Sequence, residues 1–188
     1  MPTPSIILIG LRGSGKSTLG RELANRLGLG FVDLDDVTPG LLGAGTVGEA
    51  WAAHGEGVFR RAESKALGQT LATQGIVLAL GGGTPVAPES AGLLNASRAS
   101  GRAVVVYLRA DAATLRARLK EAGSEAHVNR PSLTGASILD EIDAVLLARD
   151  PLYLDLADHV VQTDQLNVER ALDAVERISR SAAARARG

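Results

Sequence analysis

Gly10-Leu-Arg-Gly13-Ser14-Gly15-Lys16-Ser17 fits G-x-x-x-x-G-K-[ST] at each fixed position, with an apolar run before it and helical spacing after it. The chemistry needs these residue types. Glycines let the backbone bend so that N–H groups converge on phosphate oxygens, and the helix N-terminus adds partial positive charge. Lys16 can reach the β- and γ-phosphates of a nucleotide, and the Ser17 hydroxyl can ligate Mg²⁺. Gly13, Ser14, Gly15, Lys16, Ser17 and Thr18 are therefore the candidate nucleotide-binding set.

Five further groups have residue types that could carry chemistry. Asp33-Leu-Asp35 puts two carboxylates on one side of a strand end. Alone, the pair reads as a helix cap or a solvated turn. After a phosphate loop, one carboxylate can support Mg²⁺ and the other can accept a proton from a substrate hydroxyl. Glu56, Arg60 and Glu63 share a helix face at i, i+4 and i+7. That is either a surface ion-pair ladder or an arginine held by carboxylates and aimed at an anion. Gly81-Gly82-Gly83 is expensive in backbone entropy, which suggests close approach to a ligand, with a plain flexible turn as the alternative. Arg130-Pro131 lies in a polar segment, and Arg149 opens Arg-Asp-Pro-Leu-Tyr153. Either arginine can meet phosphate or substrate, and Arg149 can equally satisfy terminal helix carbonyls.

The elements that must position these groups follow from periodicity. Strands are expected at Ser5–Ile9, Phe31–Asp33, Ile76–Leu80, Ala103–Leu108 and His159–Gln162. Helical spacing runs from Ser17 to Leu27, with Gly28 as its stop. Thr46-x-x-Glu49 is a capping box for a helix that Gly55 ends, and a second helical stretch runs from about Glu56 to Thr73. Asp111 caps a helix through about Ala122. Gly123 to Gly135 reads as a mobile loop. Ser137-x-x-Asp140 opens a helix expected to end near Arg149, before Pro151. Asn167 caps a last helix, and the Ala-rich end from Ser181 is expected to fray. Strands alternating with helices imply an α/β fold with a mainly parallel sheet, whose ligands sit at the carboxyl ends of the strands.

Composition narrows the classes. The 188 residues suit one domain. Twenty basic against 21 acidic side chains give a net charge of -1, which argues against nucleic acid or an anionic membrane as partner. With no cysteine, disulfides, thiolate metal sites and cysteine nucleophiles are excluded. No apolar run is long enough to span a membrane. Met1-Pro-Thr-Pro4 has no basic n-region and Ile6–Ile9 is too short for a signal peptide, so a cytoplasmic location is expected.

In this order, from Ile6 to about Thr163, the motifs resemble those of the shikimate kinases. The resemblance implies a three-layer P-loop kinase fold with a mainly parallel five-stranded sheet. It implies one kinase domain over residues 1–178, a substrate lobe at about 36–73, a lid at about 119–136 and a flexible tail at 179–188. It implies ATP-dependent phosphorylation of the 3-hydroxyl of shikimate, with ATP and Mg²⁺, in a monomer. Asp35 then looks like the aspartate that meets the ring hydroxyls and takes the proton, and Asp33 like the carboxylate supporting Mg²⁺ beside Ser17. Arg60 and Arg149 resemble the clamp on the substrate carboxylate, with Gly81, Gly82 and Gly83 lying against the substrate. Arg130 resembles the lid arginine at the transferred phosphoryl, and Arg118 the arginine stacked near adenine.

Three features depart from the family pattern: a longer segment between Arg118 and Arg130, Ser132 after Arg-Pro, and no arginine in Asp164-Gln-Leu-Asn167. None removes a group that the reaction needs. A gluconate-type kinase and a non-catalytic sensor domain of the same type are the alternative readings. A nucleoside monophosphate kinase fits less well, since aromatic residues make up only 3% and few rings are available to stack a base.

Overall fold

In the computed structural model, which describes residues 3–123 and 139–186, the first strand explains the architecture. β1 (Ser5–Ile9) is buried along its whole length. It pairs in parallel with β3 (Ile76–Ala79) on one edge and β4 (Ala103–Arg109) on the other. β2 (Gly30–Asp33) extends the sheet beyond β3, and β5 (His159–Gln162) extends it beyond β4. The result is a five-stranded parallel sheet of order β2-β3-β1-β4-β5. A strand enclosed on both faces reads as a continuous apolar run, as Ser5–Ile9 does.

Side-chain alternation along the strands sorts the core into two layers. Ile6, Leu8, Val77, Val106 and Leu108 pack against α1 (Lys16–Leu27) and the last helix, α7 (Val168–Arg185). Ile7, Ile9, Leu78, Val105 and Tyr107 face the other way. There they meet α3 (Val47–Leu71), α4 (Pro88–Ala99), α5 (Ala112–Glu121) and α6 (Ile142–Leu156). Each fully buried Ile or Leu contributes about 1.5–3 kcal/mol. The one remaining α-helix among the described residues, α2 (Leu34–Val37), is a single turn after β2. All five strands point the same way, so every strand's carboxyl end opens on one edge of the sheet.

Local signals behave as their chemistry requires. The Thr46–Glu49 capping box is formed in both directions. Asp111 and Asn167 cap α5 and α7 through their side chains. Gly28 ends α1 in the left-handed conformation. Gly55, at φ 73° and ψ 169°, interrupts α3 between its two expected stretches.

Two expectations are corrected. Helix α6 begins at Ile142 and continues through Pro151 to Leu156. Pro151 removes only the bond to the Leu147 carbonyl, and Leu147 is 80% exposed, so water can satisfy that group. Buried Tyr153 and Leu156 hold the turns beyond the proline. Ser137 lies outside the described residues. Helix α7 likewise runs to Arg185, past the start of the expected tail, because Ser179 is buried and alanine is the strongest helix former. Among the described residues, no helix is long and apolar enough to cross a membrane.

Candidate active site

The carboxyl edge of the sheet collects the polar groups named from the sequence. The turn after β1 is the phosphate loop. Its first residue, Gly10, has φ +145°, and a Cβ there would lie 2.6 Å from the Leu108 carbonyl oxygen. Only glycine fits that bend. Lys16 is buried and donates from Nζ to the carbonyls of Gly10 at 2.9 Å and Leu11 at 2.8 Å. The ammonium is thus held inside the loop it serves.

Ser17 and Thr18 stand exposed at the start of α1. The Ser17 hydroxyl donates to Asp33 Oδ2 at 2.5 Å. Asp33 ends β2 and also accepts from the Asp35 amide at 3.1 Å, so the helix-cap reading is correct for Asp33 as well. Ser17 and Asp33 therefore present hard oxygen donors beside the phosphate loop. That set suits Mg²⁺, which takes few protein ligands and fills its shell with water and phosphate. Among the described residues there is no cluster of three or more His, Cys, Asp or Glu that could hold a metal by itself.

Arg118, on α5, closes the outer side of this cleft. Its Nη2 donates to the Thr163 carbonyl at 2.6 Å and its Nη1 to Thr163 Oγ1 at 3.1 Å. The same cleft is lined by Gly13 to Leu19, Leu166 and Val168.

A second cleft adjoins the first, and Arg12 and Asp35 line both. Here the groups come from four separate segments. Asp35 sits against Gly81: a Cβ on that glycine would lie 2.6 Å from Asp35 Oδ1 and 3.0 Å from Glu63 Oε1. Arg60 lies against Gly83, where a Cβ would fall 2.4 Å from its guanidinium. The triple glycine, part of the turn after β3, thus leaves room for three charged side chains.

Arg60 is gripped rather than solvated. Its Nη1 donates to Glu63 Oε2 at 2.5 Å, and its guanidinium stacks 5.0 Å from the Trp51 ring centroid. The Glu63 side chain is 2% exposed, against 59% for Glu56 at 3.6 Å from Arg60 Nε. Only the Glu56 end of the i, i+4, i+7 series is a surface pair. Burial pushes the Glu63 carboxyl up, while the Arg60 guanidinium and the Thr84 hydroxyl, which donates at 2.8 Å, pull it down.

Arg149 belongs to this cleft as well. Its Nη1 donates to the Gly82 carbonyl at 2.8 Å, and the Tyr153 hydroxyl donates to the same oxygen. The helix does not end at Arg149, so satisfying terminal carbonyls is not its role. Arg130 lies outside the described residues.

Sequence reasoning missed several groups. Trp51, the chain's one tryptophan, packs over Arg60. Thr84 completes the Glu63 site, and its place directly after the triple glycine was the available signal. Arg12 occupies a variable position of the loop pattern, so the motif gave no reason to select it.

Three comparisons bear on this site. The shikimate kinase family model matches residues 12–179. Shikimate kinase 2 of Dickeya chrysanthemi is 44% identical over 163 residues, covering 87% of this chain and 89% of that protein. Among solved structures, the shikimate kinase from Acinetobacter baumannii in complex with shikimate superposes with a TM-score of 0.81 at 30% identity, over 95% of this chain and 93% of that one. The shikimate kinase from Bacteroides thetaiotaomicron gives a TM-score of 0.78 at 27% identity, over 93% and 97% of the two chains. With the family model spanning most of its length and a relative 44% identical over 87% of it, the chain belongs to the shikimate kinase family.

Proposed function

We propose that this protein transfers the γ-phosphoryl group of ATP to the 3-hydroxyl of shikimate, giving shikimate 3-phosphate and ADP. One observation carries the substrate assignment. Arg60 and Arg149, from different helices, both reach the Gly82–Gly83 backbone, with the Asp35 carboxylate beside Gly81. Two guanidiniums suit one carboxylate, and a nearby aspartate suits ring hydroxyls.

In this reading Arg60 and Arg149 hold the substrate carboxylate and so aim one hydroxyl at the phosphate loop. Asp35 accepts the proton of that hydroxyl as its oxygen bonds to the γ-phosphorus and the bond from that phosphorus to the β-γ bridging oxygen breaks. Lys16 exchanges loop carbonyls for phosphate oxygens and offsets their charge, and Arg130, by the family resemblance, adds a further positive charge. Ser17 and Asp33 would hold Mg²⁺, which supplies charge neutralisation on the nucleotide phosphates when bound. Arg118 lines the nucleotide cleft, and by the family resemblance lies near the base.

The test is ADP release from MgATP with and without shikimate, with gluconate and a nucleoside monophosphate as controls. Strong stimulation by shikimate alone is expected. Stimulation by gluconate instead would reassign the substrate. Binding of both ligands without ADP release would make the protein a sensor.

A further inference from the structure

The Arg-Asp-Pro-Leu-Tyr segment contains an acid that the proposed chemistry leaves unused. Asp150 accepts three hydrogen bonds from β4. Arg109 grips it with both prongs, Nε to Oδ1 at 2.8 Å and Nη2 to Oδ2 at 2.7 Å. Tyr107 Oη donates to Oδ1 at 2.8 Å. Tyr107 and Arg109 are two apart on the strand, so both lean toward α6. The residues flanking Asp150 on that helix, Arg149 and Tyr153, both bond the Gly82 carbonyl. The rings of Tyr107 and Tyr153 meet edge to face at 5.1 Å.

This stretch of helix is one backbone hydrogen bond short. Pro151 supplies no N–H, so the ladder lacks the bond from residue 151 to the Leu147 carbonyl. Tertiary anchors flank the proline on both sides. Asp150 ties one side to β4, and Tyr153 ties the other to Gly82.

We infer that Asp150 is a positioning residue: clamped by Arg109 and Tyr107, it fixes α6 so that the Arg149 guanidinium stays over Gly82 and meets the substrate carboxylate. This rests on the proposed shikimate reading. A charge-assisted, bidentate pair defines direction as well as distance, which a packed apolar contact would not. Asp150 touches neither substrate nor nucleotide cleft, so it acts on carboxylate binding and not on phosphoryl transfer.

The experiment is steady-state kinetics of Asp150→Asn with shikimate, with shikimate methyl ester and with ATP varied in turn. Expected is a rise of about tenfold in KM for shikimate, the size of one lost hydrogen bond to a charged group. The kcat and the KM for ATP should stay within about threefold, as for loss of uniform binding. The ester, lacking the carboxylate charge, should discriminate little between wild type and variant. An unchanged KM for shikimate, an equal loss for the ester, or equal rises for both substrates overturns the inference. Should Asp150→Asn not fold, Arg109→Gln reads the same contact from its half-exposed partner, with the same expected KM pattern. Failure of both variants to fold overturns it in favour of a purely structural role. A wild-type protein that shikimate does not stimulate fails at the proposed function, a different and visible outcome.

Discussion

The two halves of the cleft are built in opposite ways. The phosphate end of the nucleotide half is one continuous segment, Gly10 to Thr18, in which Lys16 is held by its own loop. The substrate half is assembled from the turn after β2, the middle of α3, the turn after β3 and the middle of α6. Its side chains hold one another: Glu63 holds Arg60, Thr84 holds Glu63, and Gly82 takes both Arg149 and Tyr153. A contiguous site fails when its backbone geometry fails. A dispersed site fails when any one of several helices shifts.

That contrast can be broken most directly at Asp35, the carboxylate common to both clefts. Asp35→Asn should lower kcat by roughly 10²–10⁴ in the ADP-release assay while both ligands still bind. Near-normal turnover would remove Asp35 from the base role. Next in size, Arg60→Ala should cost about 2–5 kcal/mol of shikimate affinity by calorimetric titration, much of it from leaving Glu63 buried without its partner. Nucleotide affinity should not move, because Arg60 lines only the substrate cleft. Unchanged shikimate affinity would return Arg60 to a structural ion pair.

Gly10→Ala tests the other half. Its Cβ would meet the Leu108 carbonyl, backbone that cannot swing away, at a φ disfavoured for alanine. A stability loss of about 1–3 kcal/mol in denaturant titration, with weakened ATP binding, is expected. The pH dependence of the α6 tether is smaller. Arg109, and then the Tyr107 hydroxyl, hold the Asp150 carboxyl below the ordinary carboxylate range, while partial burial opposes them. A lowered folded value means stability that is present above the unfolded carboxyl value near pH 4 and lost as pH falls through the folded one. Thermal melts should therefore drop on acidification below about pH 4 more steeply for wild type than for Asp150→Asn. The smallest effect is expected at Glu56→Ala, an exposed partner of Arg60, at no more than a few tenths of a kcal/mol in shikimate affinity. A large effect there would show that the rim of α3, and not Glu63, orients Arg60.

Much of this was legible before any coordinates. The five strands, the Gly28 stop, the capping box at Thr46 and the break at Gly55 all rest on short-range geometry, and short-range geometry is encoded locally. The end of α6 was misplaced because Pro151 is a strong local stop signal that buried Tyr153 and Leu156 override. The end of α7 differs from the expectation because low complexity suggests fraying, whereas Ser179 is buried.

The site divides the same way. Residue types and spacing alone specify the phosphate loop, its glycines, the order of strands and helices, and the residue types available at each strand end. They could not say which end of the Glu56–Arg60–Glu63 series is buried, that Arg149 reaches Gly82, or that Asp150 is gripped from β4. Those contacts join residues far apart in the chain, and they exist only because β3, β1 and β4 lie side by side at the centre of the sheet with α3 and α6 on the same face. A turn's geometry is set by neighbours in sequence. Which charges meet across a cleft is set by the packing of whole elements, where the burial of many apolar side chains outweighs any single local preference.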